Sequence, residues 1–222
     1  MKPVSEKNNF LYLVISLVFL LLVGSLVDQF PSNLGQHIFQ AVTVITLATG
    51  VAGFRSSRLW FHTGVGFTIL VLVVVILGIL LDVAGMSYLH LLLLVGFYSW
   101  ATWLAAKQVL FTGPVDGNKI VGAICIYLLM GLIWALLYLF IAQAIPDAFN
   151  GLEHAVWYDN FADVAYYSFV TLTTLGYGDI SPIVPLARFL VYMEAIVGVF
   201  YMAILVASLI GIRASSLQTK KD

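Results

Sequence analysis

Residues 171–179 read Thr171-Leu172-Thr173-Thr174-Leu175-Gly176-Tyr177-Gly178-Asp179. They close a run, 159–173, that carries aromatic and small residues at helical spacing without proline, with Asp159 or Asn160 as its N-cap. The mixed stretch 159–182 is too polar and too short to cross a bilayer as one helix. Lying between longer apolar runs, it reads as a short helix that enters from one side, ends mid-membrane and returns as an extended, glycine-containing strand. Irregular backbone at that depth survives only when buried in protein or lining a water-filled path. The stretch therefore points to a pore.

The surrounding composition supports a membrane setting. The chain of 222 residues is 62% hydrophobic and 9% charged, with a mean hydropathy of +1.03. Soluble domains carry about 25% charged residues, so this chain has too little polar surface to coat a water-soluble globule. Apolar runs predict membrane-spanning helices near 10–27, 37–54, 59–81, 87–110, 119–145 and 184–212. Breaker clusters separate them at Pro31-Ser32-Asn33, Arg55-Ser56-Ser57-Arg58, Asp82-Val83-Ala84-Gly85 and Thr112-Gly113-Pro114. The second run is the weakest, because Gln40, Thr43, Thr46 and Thr49 dilute it. The expected fold is all-α: six transmembrane helices with a re-entrant helix and loop between the fifth and sixth.

Charge placement sets the orientation. Lys2, Lys7, Arg55, Arg58, Lys107, Lys119, Arg213, Lys220 and Lys221 fall on one side of such a six-helix arrangement, and Arg188 on the other. Cytoplasmic loops are rich in Lys and Arg, so both termini are expected in the cytoplasm and the chain in the plasma membrane. Asp28, Asp82, Asp147, Glu153, Asp159, Asp163 and Asp179 gather on the opposite side. Lys2 and Lys7 ahead of an apolar stretch also outline a cleaved signal peptide. The run is long for one and Val23-Gly24-Ser25 is a poor cleavage site, so the first helix is expected to stay. A net charge of −1 leaves no basic field for nucleic acid. The single cysteine, Cys125, sits in an apolar run and reads as a small buried hydrophobe.

The residue types of the loop suit a cation path. Gly176 and Gly178 can adopt backbone angles that a side chain would forbid. Alternated with Leu175 and Tyr177, they let consecutive carbonyl oxygens point to one side, and a ring of such carbonyls can replace an ion's hydration shell. The Thr174 hydroxyl adds one oxygen at the inner end. The preceding helix aims its partially negative C-terminus at the middle of the membrane, which favours a cation there. One chain supplies a quarter of each ring, so the path requires a symmetric assembly.

With these residues in view, the stretch resembles the potassium-channel pore domain, whose signature is T-x-G-Y-G followed by an acidic residue. The match covers roughly 119–212: outer helix, pore helix, filter and inner helix. The resemblance implies a homotetramer in the lipid bilayer, with K+ as permeant ion at Thr174, Leu175, Gly176, Tyr177 and Gly178 and no other cofactor. Leu175 stands where the commonest form has Val, a position that contributes only its backbone carbonyl. Tyr177, which nonselective relatives often lose, implies potassium selectivity. Thr173, Asp179 and the aromatic pair Tyr166-Tyr167 would support the filter, with Tyr167 hydrogen-bonding Asp179. Val170 stands where some members carry a Glu that pairs with the filter aspartate, so that pairing is expected to be absent. Gly198 matches the inner-helix glycine regarded as a gating hinge, and its other reading is a site of close helix packing.

Residues 112–222 thus form the expected pore domain, and 1–111 a four-helix module of another kind. A voltage sensor needs several Arg at three-residue spacing in a transmembrane helix, because each charge crossing the field contributes about 2.3 kcal/mol per 100 mV. The fourth helix, 87–110, has no Arg and only Lys107, near its end. The module therefore departs from the family's voltage-sensing kind, and the gating stimulus is open. The chain ends about ten residues past the sixth helix, and the expectation is that no soluble regulatory domain follows.

Glu194, within the sixth helix, is expected to face the back of the pore helix and hydrogen-bond its Thr or Tyr groups, with pore lining as the other reading. Arg188 is expected at the outer mouth, near Asp163 or Glu153 of a neighbouring chain. His37, His62, His90 and His154 lie near helix ends, where interfacial anchoring competes with pH sensing. The chain carries no G-x-S-x-G, H-E-x-x-H or Walker A pattern, so an enzyme reading has no support. A transporter with related filter loops would carry four pore repeats in one chain, and internal repetition is absent here. A nonconducting accessory subunit is the remaining alternative.

Overall fold

A computed structural model describes residues 9–26, 32–53, 58–81, 85–110, 117–153 and 155–218. Seven helices fill them: α1 (Asn9–Leu26), α2 (Ser32–Gly53), α3 (Arg58–Leu81), α4 (Gly85–Leu110), α5 (Gly117–Ala144), α6 (Phe161–Leu172) and α7 (Pro185–Gln218). Two-residue strands β1 (Phe149–Asn150) and β2 (Ser181–Pro182) pair antiparallel, Phe149 opposite Pro182 and Asn150 opposite Ser181. The apolar runs at 10–27, 37–54, 59–81, 87–110, 119–145 and 184–212 each form a helix, within a few residues at most ends. Lys2, Lys7, Asp28, Arg55, Asp82, Lys220, Lys221, His154 and the breakers at 54–57, 82–84 and 112–114 lie outside the described residues.

Among the described residues, four helical stretches are long and apolar enough to cross a membrane: Phe61–Gly78, Gly85–Val109, Gly117–Ala144 and Pro185–Leu205. Phe10–Leu26 is apolar but shorter. α2 is not among these stretches, and its threonine side chains are spent internally. Thr43 donates to Phe39 O at 2.9 Å and Thr46 to Val42 O at 2.9 Å, while Thr49 Oγ1 donates to Ser16 Oγ of α1 at 2.8 Å. With partners inside the α1–α2 seam, these hydroxyls need no water.

α5 is the central helix, packing against α1, α4, α6 and α7, while α1 with α2, α2 with α3 and α3 with α4 complete the four-helix module. Burial follows helical spacing: Phe10, Leu13, Leu17 and Leu20 of α1 are buried, whereas Leu11, Ile15, Val18 and Leu22 face outward. Such outward apolar faces suit lipid. Because lipid is as apolar as the side chains it replaces, helices here associate through close packing rather than apolar burial. α1 also packs on α6, with Phe39 of α2 at the same seam: its ring lies 4.5 Å from that of Phe161 and 5.8 Å from that of Trp157. The module therefore rests on the head of its own chain's short helix. Cys125 is a free thiol, fully buried in α5.

Candidate functional site

α6 begins after Asn160, which occupies the cap position but makes no side-chain capping bond. Its Nδ2 instead donates to Glu153 O at 2.8 Å, anchoring the preceding loop. Asp163 supplies a negative charge in the first turn, where the helix dipole favours it. The far end unwinds in steps. Thr173 N donates to Phe169 O at 3.0 Å and Thr174 N to Thr171 O at 2.9 Å, then Leu175 N and Gly176 N reach Val170 O at 2.9 and 3.4 Å.

Beyond this point the backbone takes positive φ at every second residue: 59° at Thr174, 59° at Gly176 and 83° at Gly178. Such alternation of handedness turns successive peptide groups to the same side, which an extended strand does not do. The glycines were legible as residues able to adopt these angles; Thr174 was not, because a β-branched residue at positive φ is an outlier. Residues 173–179 are all exposed in the single chain, Tyr177 at 67%. A Cβ added at Gly176 or Gly178 would meet nothing within 4 Å. The segment thus has a bare flank.

The segment is held at its exit by Asp179. Its Oδ2 accepts from Tyr166 Oη at 2.7 Å and its Oδ1 from Ile180 N at 3.0 Å. The expected donor was Tyr167, and the structure assigns Tyr166 instead. Adjacent residues of a helix point about 100° apart, so only one of the pair can face the loop. Tyr166 does, its ring stacked parallel to that of Tyr177 at 6.4 Å. Tyr167 turns inward, its ring 5.5 Å from Tyr138 and 5.8 Å from Phe149. The Tyr166 bond holds the Asp179 carboxyl below its usual range, and the same bond pushes the phenol up to about 12. Val170 is buried and brings no carboxylate to this corner. On the other side, a Cβ built on Gly151 (φ 83°) would fall 2.3 Å from Asp179 O, so only glycine lets the β1 turn close against the exit.

Behind α6 stands Glu194 of α7, with no exposed surface. Its Oε2 accepts from Tyr138 Oη of α5 at 2.5 Å, and its Oε1 lies 2.6 Å from Ser168 Oγ of α6. Glu194 therefore faces the back of the short helix, as expected, although its partner there is a serine and the tyrosine comes from α5. Pore lining in the single chain is overturned by this burial. A Cβ on Gly198 would fall 2.2 Å from Leu172 O, so α7 touches the C-terminus of α6 backbone to backbone. That is the close-packing reading. Tyr127 Oη donates to the same Leu172 O at 3.4 Å. Tyr138, Ser168 and Tyr127 carried no motif; their role arises only where helices distant in sequence meet.

Arg188 is exposed and donates from Nε to Pro182 O at 3.2 Å, bracing β2 within its own chain. His37 and His62 are exposed. His90 departs from the interfacial reading: it is 5% exposed, edge-on to Trp157 at 5.2 Å, where α4 meets the loop leading into α6. Tyr88 Oη donates to Gln143 O at 2.9 Å and Gln143 Nε2 to Ser87 Oγ at 2.6 Å, closing the same corner.

Residues 123–212 match the family described as ion channel. The inward rectifier potassium channel Kirbac3.1 of Paramagnetospirillum magnetotacticum is 38% identical over 85 residues, which are 38% of this chain and 26% of that protein. The chain thus spans about a quarter of the length of the curated relative it matches. No solved structure matches.

Proposed function

We propose that residues 123–212, which match an ion channel family and resemble part of a potassium channel, form the pore domain of a membrane protein that is a subunit of a homotetrameric potassium-selective channel. It is not an enzyme. The observation that carries the proposal is the alternating positive φ at Thr174, Gly176 and Gly178 in a segment whose flank is bare in one chain. Four such segments around an axis would stack rings of carbonyl oxygens from Thr174, Leu175, Gly176, Tyr177 and Gly178. Dehydrated K+ passes from ring to ring because each ring replaces part of the hydration shell. The α6 C-terminus aims its dipole at the inner end, and Asp179 places a carboxylate at the exit. The outward-facing Tyr192, Ile196, Val199 and Phe200 of α7 are then available to neighbouring copies.

In this reading six helices, α1–α5 and α7, cross the plasma membrane with both termini in the cytoplasm. Residues 1–111 are a bracing module, and since α4 carries no Arg the channel is not steeply voltage-gated. Reconstitution of the full chain into liposomes tests the proposal. Stepwise unitary currents that prefer K+ over Na+, lost in Tyr177→Ala, are expected. Absence of K+ flux from a folded tetramer, or unchanged selectivity in Tyr177→Ala, would sink it.

A further inference from the structure

Ser168 Oγ lies 2.8 Å from Gly131 O and 2.6 Å from Glu194 Oε1. A hydroxyl carries one proton, and a carbonyl oxygen can only accept. If Ser168 donates to Gly131 O, its oxygen can meet Glu194 Oε1 in a hydrogen bond only when the carboxyl itself supplies the proton. Were Glu194 ionised, two acceptors would compete for a single Ser168 proton, leaving one oxygen pair in contact with no hydrogen between. The other carboxyl oxygen is already served by the Tyr138 hydroxyl.

Charge accounting agrees with this count. Glu194 is fully buried. The titratable groups that face it are Tyr138 and Tyr127 of α5 and Tyr167 of α6, none of them cationic. On its own helix Arg188 is exposed and engaged with Pro182 O. An ionised carboxylate buried in such a place would lack the countercharge that makes burial of charge tolerable. Gly131 makes the cluster possible: a Cβ there would fall 2.4 Å from the Phe169 ring, so α6 lies close enough for Ser168 to reach the α5 backbone.

We infer that Glu194 is held as the neutral acid, donating from Oε1 to Ser168 Oγ while accepting from Tyr138, and that this proton locks α5, α6 and α7 together behind the 174–178 segment. Glu194 is thus a positioning residue for conduction. It touches no ion; it fixes the helix from which the path-forming segment departs. Removal of its proton to solvent base rotates the Ser168 proton toward the carboxylate, breaks the Ser168 bond to Gly131 O that ties α6 to α5, and loosens α6. This consequence rests on the channel reading; the protonation state does not.

Two measurements on the full chain in liposomes separate the claims. Infrared difference spectra between wild type and Glu194→Gln should contain a deuteration-sensitive carboxylic-acid C=O band at neutral pH. A carboxylate band in its place overturns the inference whether or not the protein conducts. Potassium flux provides the second readout. Glu194→Gln, whose amide can still donate to Ser168 and accept from Tyr138, should keep wild-type selectivity and flux within about twofold, whereas Glu194→Ala should lose about tenfold, the scale of one buried hydrogen bond. Wild-type flux should fall on the alkaline side and the Gln variant should not. Loss in Gln equal to that in Ala would show that the ionised form is required and overturn the inference.

Discussion

Tyr166 Oη donates to Asp179 Oδ2 at 2.7 Å, joining the middle of α6 to the exit of the segment that α6 launches, thirteen residues later. The bond closes a loop of chain that contains all three positive-φ residues from Thr174 to Gly178. Since the phenol holds the carboxyl below its ordinary value of 3.8, the stabilisation is fully present above that value. It is lost as pH falls through the depressed one. Tyr166→Phe removes the main cause of the depression, so Asp179 should titrate nearer its ordinary value. Acid loss of K+ flux should then begin at higher pH in the variant. Identical acid profiles for the two proteins would show that this bond does not hold the exit.

Gly198→Ala should be poorly tolerated. Its Cβ would meet Leu172 O at 2.2 Å, a backbone atom that no rotamer change can move. Prying α7 from α6 is expected to cost about 1–3 kcal/mol and to lower the thermal stability of the detergent-solubilised protein. Gly96→Ala is the control, because its nearest neighbour is the Phe67 ring at an ordinary 3.5 Å. Equal melting of the two variants would contradict the close contact.

Gly176→Ala acts through the backbone alone. Nothing lies within 4 Å of the added Cβ, but φ is 59°. A side chain in that left-handed region costs about 1–2 kcal/mol, enough to flip the peptide. Liposome flux should lose its preference for K+ over Na+ while insertion and expression stay normal. Retained selectivity would remove the segment from the ion path.

Phe39→Ala probes the brace between the module and α6. The ring is 2% exposed, wedged against Phe161 and Trp157. Its loss should destabilise the chain by about 3–5 kcal/mol, seen as an earlier midpoint in detergent unfolding, with ion preference unchanged. A shift in selectivity would instead show that the module shapes the path itself.

The helices around this site were readable because long apolar runs need no tertiary information to declare themselves. The 171–179 stretch was readable for a different reason: two glycines flanking a tyrosine satisfy a positive-φ demand that few other residues can meet. Errors arose where direction mattered. Tyr166 and Tyr167 are chemically equivalent neighbours, and only the rotation of α6 against α5 decides which one meets Asp179. Asn160 stands at the cap position as expected, but its side chain makes no capping bond, and its Nδ2 donates to Glu153 O. His90 looked interfacial until Trp157 covered it.

Composition marked this chain as a membrane protein and local pattern singled out 171–179 as a segment that leaves regular structure, because solvation and backbone sterics act on each residue where it stands. Which hydroxyl meets which carboxylate was decided by tertiary structure. Ser168 and Tyr138 lie 26 and 56 residues from Glu194 along the chain, and the three become one hydrogen-bonded group only when Gly131 admits the Phe169 ring of α6 and Gly198 brings α7 against the α6 backbone.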